Sequence, residues 1–160
     1  MSNFERAFAA LLVNEGGFTV DEGGQTRYGI TEAVARANGF TGNMRELPLE
    51  TAKAIYAKEY WLPICDQLAY GVAFQVFDAA VNSGAGRAIA WLQHACGVNV
   101  DGTPGAQTIA AARAANPCEL VIRFNWWRWR FMLQDQTGWR QSGKGWSNRI
   151  MKNLMEGLAQ

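Results

Sequence analysis

The chain has 160 residues, 49% of them apolar and 18% charged, which excludes an intrinsically disordered chain and fits one domain with a well-filled core. Fifteen basic against fourteen acidic side chains leave a formal charge of +1, so no overall field gathers nucleic acid or an anionic membrane. The sequence has no apolar run of about 18 residues and opens without the basic start and apolar stretch of a secretory signal, so a soluble protein made in the cytoplasm is expected.

Residues 3–15 predict an amphipathic first helix, with Phe4, Phe8, Leu11 and Leu12 at helical spacing and Gly16-Gly17 as a stop. From Phe18 to Ile30 the chain is rich in glycine. There Thr26, Tyr28 and Ile30 alternate, the period of a small hairpin, and on such a strand Thr26 and Tyr28 share a face. Thr31 is placed to cap a helix through Glu32 and Arg36 that closes at Asn38-Gly39. Pro48 suits the first turn of the next helix, which continues from Leu49 towards Tyr60-Trp61.

After Pro63 the pattern is wholly helical. Val72, Val76, Phe77, Ala80 and Val81 form one apolar stripe up to Asn82-Ser83-Gly84, and Ile89, Leu92, Ala95 and Cys96 form another up to Gly97. Thr103-Pro104 is read as opening a short alanine-rich helix that stops before Pro117. A long apolar helix then runs to about Gln134 with Trp126, Trp127 and Trp129, and a last helix carries Trp146, Ile150, Leu154 and Leu158. About seven helices and one hairpin make a mainly α protein. The stretch from Pro63 to Gly71 lacks the composition of a flexible linker. It is read as the join between a lobe of residues 1–66, with the hairpin, and a helical lobe of residues 67–160, packed as one compact unit.

Glu15 follows Leu11 by four positions and Phe8 by seven, which puts a carboxylate on the apolar face of the first helix. Desolvation there disfavours the anion, and the negative end of the helix dipole disfavours it again. A carboxylic acid kept protonated near neutral pH is what cleavage of a glycosidic bond requires, because the leaving oxygen must receive a proton. A glutamate whose pKa is raised by an apolar pocket can serve as the general acid of a glycosidase in this way. Water must be held on the other face of the sugar, and Asp21 and Thr26 are the nearest candidates, with Tyr28 able to support Thr26 or stack on a sugar.

The run Asn14-Glu15-Gly16-Gly17-Phe18, followed by Asp21-Glu22-Gly23-Gly24-Gln25-Thr26-Arg27-Tyr28-Gly29-Ile30-Thr31, resembles the signature of glycoside hydrolase family 108, the phage and prophage N-acetylmuramidases. The resemblance continues through Phe77-Asp78-Ala79-Ala80-Val81-Asn82-Ser83-Gly84, Val100-Asp101-Gly102-Thr103-Pro104-Gly105 and Gly143-Lys144-Gly145-Trp146. It implies a lysozyme-like α+β fold with two lobes flanking a substrate cleft, the second half being a predicted peptidoglycan-binding region. By that resemblance Glu15 is the catalytic glutamate, while Asp21 and Thr26 take the positions of the family's aspartate and threonine. Members commonly carry a longer loop between the glycine pairs, with an additional Asp-Pro, where this chain has only Phe18-Thr19-Val20. The shortening places Thr26 ahead of Asp21 as the residue that holds water. Asn82 resembles the asparagine of a helix-ending turn beside the sugar cleft of phage lysozymes and is read as substrate-binding.

The expected reaction is therefore hydrolysis, with inversion, of the β-1,4 bond between N-acetylmuramic acid and N-acetylglucosamine in bacterial peptidoglycan, without cofactor or metal. The rival readings are a lytic transglycosylase and a non-catalytic peptidoglycan-binding protein. An endolysin that acts as a monomer, waits in the host cytoplasm and reaches the wall in the periplasm through a partner holin is the setting implied by the family. No nucleic-acid partner and no membrane insertion are expected. His94 is the single histidine, which argues against a zinc amidase, and Cys65, Cys96 and Cys118 are read as reduced thiols filling the core. Most of the seven tryptophans are likewise read as core filling.

Overall fold

The computed structural model describes residues 1–13, 19–21 and 24–159, with Thr19 and Asp21 described in backbone alone. Among them are eight α-helices, two 3-10 turns and one three-stranded antiparallel sheet. This is the mainly helical α+β class expected from the sequence, with eight helices rather than about seven. The chain divides into two compact units, Met1–Trp61 and Leu62–Gln160.

In the first unit, α1 spans Asn3–Leu12 and opens on a capping box in which Ser2 Oγ accepts from Glu5 N–H and Glu5 accepts from Ser2 N–H. Its buried face is Ala7, Phe8 and Leu11. Phe8 meets Tyr56 of α3 (Leu49–Glu59) at 5.5 Å between ring centroids, and Phe4 meets Trp61 edge-on at 5.5 Å. Strands β1 (Thr19–Asp21), β2 (Gly24–Arg27) and β3 (Ile30–Thr31) lie in sequence order. Thr31 Oγ1 accepts from Val34 N–H and caps α2 (Glu32–Ala37), which ends at Asn38 with Gly39 at φ +87°, as the sequence predicts.

The second unit is organised around α4 (Tyr70–Ser83), in which every residue from Tyr70 to Ala80 is buried. The stripe expected from the sequence is thus a helix buried all round, because neighbours cover it on every side. Against it pack α5 (Ala85–Cys96), α7 (Pro117–Gln134) and α8 (Gln136–Leu158). A Cβ at Gly157 would lie 2.5 Å from Gln75 Nε2, so α8 approaches α4 more closely there than any other residue allows. Gln75 in turn donates to Asn153 O at 2.7 Å and accepts from Asn125 Nδ2 at 3.0 Å, which satisfies a buried amide.

Three local readings need correction. The helix expected from Thr103-Pro104 begins only at Ala106 (α6, Ala106–Ala114), because Asp101 Oδ1 accepts from Thr103 N–H and Gln93 binds the loop from below. The Asp101-Gly102-Thr103 run is therefore a turn held by the side chain of Gln93, with Gly102 at φ +71°. Of the cysteines only Cys65 is buried; Cys96 is half-buried and Cys118 exposed. Among the tryptophans only Trp91 belongs to the core, at 5% exposure, while Trp126 is 52% exposed. The other five are half-buried, among them Trp129, which approaches Trp139 at 5.3 Å, and Trp127, which stacks on His94 at 4.2 Å.

Candidate active site

Glu15 lies outside the described residues, together with Gly16 and Gly17. What is described in the first unit is the element that follows it. Thr26 sits in β2 with its Cα opposite Thr19 on one side and Thr31 on the other, and Asp21 pairs with Gly24, two register steps along the same ribbon. Thr26 is half-buried, and among the described residues its hydroxyl has no hydrogen-bond partner. A hydroxyl of this kind can donate to or accept from a water molecule without first breaking a bond.

Tyr28 is not on a strand. The pairing of Arg27 with Ile30 leaves Tyr28-Gly29 as a two-residue turn, with φ +52° and +76°, the sign pattern of a type I′ hairpin. The alternation of Thr26, Tyr28 and Ile30 therefore does not place Thr26 and Tyr28 on one face. A left-handed conformation is uncommon for a bulky residue and has to be held by its surroundings. Two contacts do so here. Tyr56, fully buried in the core, donates its hydroxyl to Tyr28 O at 3.0 Å, and Arg27 lies 5.0 Å over the Tyr28 ring while donating to its hydroxyl at 3.2 Å. The hairpin that carries Thr26 is thus fastened to the core through the carbonyl of its turn.

In the second unit Asn82 lies at the end of α4 and donates Nδ2 to Asp78 O at 2.9 Å, which leaves its Oδ1 to other partners. It lines a cavity of about 170 Å³ with Ser83, Arg87, Arg128, Trp146 and Arg149 among its walls. Beneath it Asp78, fully buried, accepts from Arg128 Nη1 at 2.7 Å and from Arg149 Nε at 2.9 Å. Burial pushes the Asp78 carboxyl up, but the Arg128 and Arg149 guanidinium groups outweigh it and hold the carboxyl below the usual range, so it is an anion.

Of the expected residues, Asn82 lines a cavity of the second unit, and Thr26, Asp21 and Tyr28 belong to one ribbon of the first. The sequence reading missed Tyr56, Asp78, Arg128 and Arg149. A signal for Asp78 was present: it is the one charged side chain in α4, the same anomaly that singled out Glu15. No comparable signal marks Tyr56, whose partner is a backbone carbonyl 28 residues away.

Comparison with known proteins places these features in context. The family described as Glycosyl hydrolase 108 matches residues 8–84, a span that includes Glu15, Asp21, Thr26, Tyr28 and Asn82. Among solved structures, SagA of Brucella abortus is similar at a TM-score of 0.84 with 31% sequence identity, the match covering 98% of this chain and 94% of that one. No match is found among curated proteins.

Proposed function

The chain belongs to the glycosyl hydrolase 108 family, and we propose that it is a lysozyme that hydrolyses the β-1,4 bond between N-acetylmuramic acid and N-acetylglucosamine of bacterial peptidoglycan with inversion. Glu15 gives its proton to the glycosidic oxygen as the bond to the anomeric carbon breaks. Thr26, with or without the carboxylate of Asp21, holds the water that adds to that carbon from the opposite face. Tyr28 and Asn82 contact the sugar chain, and the helical second half serves as a peptidoglycan-binding region.

The observation that carries this reading is the family match across residues 8–84, which takes in every residue assigned a role. The hairpin agrees with it, since the Thr26 hydroxyl has no hydrogen-bond partner among the described residues, on a ribbon that Tyr56 fastens to the core. The biological setting proposed is that of a phage endolysin that acts as a monomer and meets the wall in the periplasm once a holin has opened the inner membrane.

Purified peptidoglycan digested by the protein is expected to yield fragments with hydrated reducing ends in mass spectrometry. Fragments ending in a 1,6-anhydro ring would make the protein a lytic transglycosylase. Binding to walls without release of either end would make it a binding protein alone.

A further inference from the structure

Arg87, Trp91 and His94 follow one another on α5 at spacings of four and three, so they share a face of that helix. On α7, Arg130 and Phe131 follow Trp127 by three and four positions and share a face in the same way. Between these faces lies a groove of about 270 Å³, and no carboxylate lines it among the described residues. Its two arginines are exposed, and each lies over an aromatic ring: Arg87 is 5.0 Å from the centroid of Phe131, and Arg130 is 5.3 Å from that of Trp126 and 5.4 Å from that of Trp127. Attraction to a ring face restrains a long side chain without neutralising its charge. The exposed Arg36 and Arg123 are paired with glutamates at 2.8 and 2.9 Å. Arg87 and Arg130 pair with no carboxylate among the described residues, so the groove presents two restrained cations to solvent beside the apolar side chains of Trp91 and Phe131.

The groove is not an isolated pocket. Arg87 and Phe131 also line the cavity beside Asn82, so the two depressions share a wall and run on from one another across α5 and α7. Adjoining depressions of this kind suit a length of polymer better than a small molecule. The helical unit is also where positive charge is concentrated: residues 62–160 carry nine basic and six acidic side chains, against six and eight in residues 1–61. The overall charge of +1 conceals that division. A groove with cations and no carboxylate attracts an anionic partner and repels a cationic one.

We propose that the groove between α5 and α7 is an accessory wall-binding subsite, in which Arg87 and Arg130 take carboxylates of the stem peptides on a peptidoglycan strand that continues past Asn82. The identity of the strand rests on the hydrolysis proposed above. Its anionic character rests on the charge of the groove. The subsite holds the protein on the insoluble wall by solvent-exposed charges, so that attachment weakens as salt screens them.

The test is co-sedimentation with purified sacculi in the cold, where cutting is slow. The double variant Arg87→Gln/Arg130→Gln is expected to bind about 10-fold more weakly than the unaltered protein, the combined effect of two exposed charge pairs. Arg140→Gln/Lys144→Gln removes the same charge from exposed positions of α8 and should bind within about 2-fold of the original. Equal weakening by the two doubles overturns the assignment to the groove, as does full binding by the first. Sacculi whose stem carboxylates have been amidated should hold the unaltered protein about 10-fold more weakly. Equal binding to amidated and untreated sacculi overturns the proposal, and this comparison stands even where a variant does not fold. Vesicles of anionic phospholipid are the competing surface: vesicle binding that the groove double loses while it keeps its grip on sacculi would make the groove a membrane contact and overturn the proposal. Release of reducing ends from peptide-free glycan strands reports separately on the proposed hydrolysis, so failure of one reading is not mistaken for failure of the other.

Discussion

Thr26 is carried by a four-residue strand and fastened through a hydrogen bond from Tyr56 to the neighbouring turn, whereas Asp78 stands inside a helix buried from Tyr70 to Ala80 and receives two guanidinium groups. Both regions hold a polar group in position. The hairpin does so by turn geometry and a small number of bonds, the helix by enclosure and charge. A residue on the first kind of element can be lost with little change in stability and a large change in activity. For the second kind the order is reversed, since removing one partner strands a buried charge.

The largest expected effect lies on the side of activity. Glu15→Gln is expected to leave the melting temperature within a few degrees of the original and to reduce release of reducing ends from peptidoglycan by about 10²–10⁴-fold, the usual contribution of a general acid. Lysis at the original rate in that variant would remove Glu15 from the mechanism.

Next comes Asp78→Asn, which leaves Arg128 and Arg149 facing a neutral amide in a buried place. A destabilisation of about 3–5 kcal/mol is expected in denaturant unfolding. A pH signature accompanies it. The folded carboxyl of Asp78 titrates below its ordinary value of 3.8, so its stabilisation is complete above that value and is lost as the pH falls through the folded value. The original protein should therefore lose melting temperature on acidification in this range, and the part of that loss due to position 78 should be missing in Asp78→Asn.

Tyr56→Phe sharpens the contrast from the hairpin side. It removes one hydrogen bond and leaves the Tyr28 carbonyl without that donor, at a cost of about 1–2 kcal/mol in unfolding free energy. Hydrolysis should fall by more than the lost stability accounts for when measured well below the melting temperature, because the turn that follows the strand carrying Thr26 is released. A variant as active as the original would show that the hairpin is placed by other contacts.

The smallest effect is expected at Tyr28 itself. Asparagine tolerates the left-handed region far better than tyrosine, so Tyr28→Asn should gain turn stability and lose the Arg27 contact, for a net change within about 1 kcal/mol. Saturation binding of glycan fragments separates this from a role in sugar contact, since only the latter weakens affinity.

Much of the helical part of this protein is legible along the chain. The limits of α7 at Pro117 and Gln134, the Thr31 cap of α2 and the left-handed Gly97 that ends α5 all follow from local signals. The hairpin is less so. The alternation around Tyr28 has the period of a strand and conceals a turn, because tyrosine gives no warning of a positive φ. Thr103 looked like a cap and is instead part of a turn, since the competing partner, Gln93, reaches it from a different helix.

The sequence by itself determined the mainly helical class, the caps at Thr31 and Gly97, and the candidacy of Glu15, Asp21, Thr26, Tyr28 and Asn82, because each rests on residue types at short spacing. Only the tertiary structure decided that Tyr56 fastens the turn at Tyr28, that α4 is enclosed on every side, and that Arg128 is buried against Asp78. Asp78 and Arg128 are 50 residues apart. No periodicity links positions so distant, and their pairing exists only once α4 and α7 pack together and exclude the water that would otherwise solvate both charges.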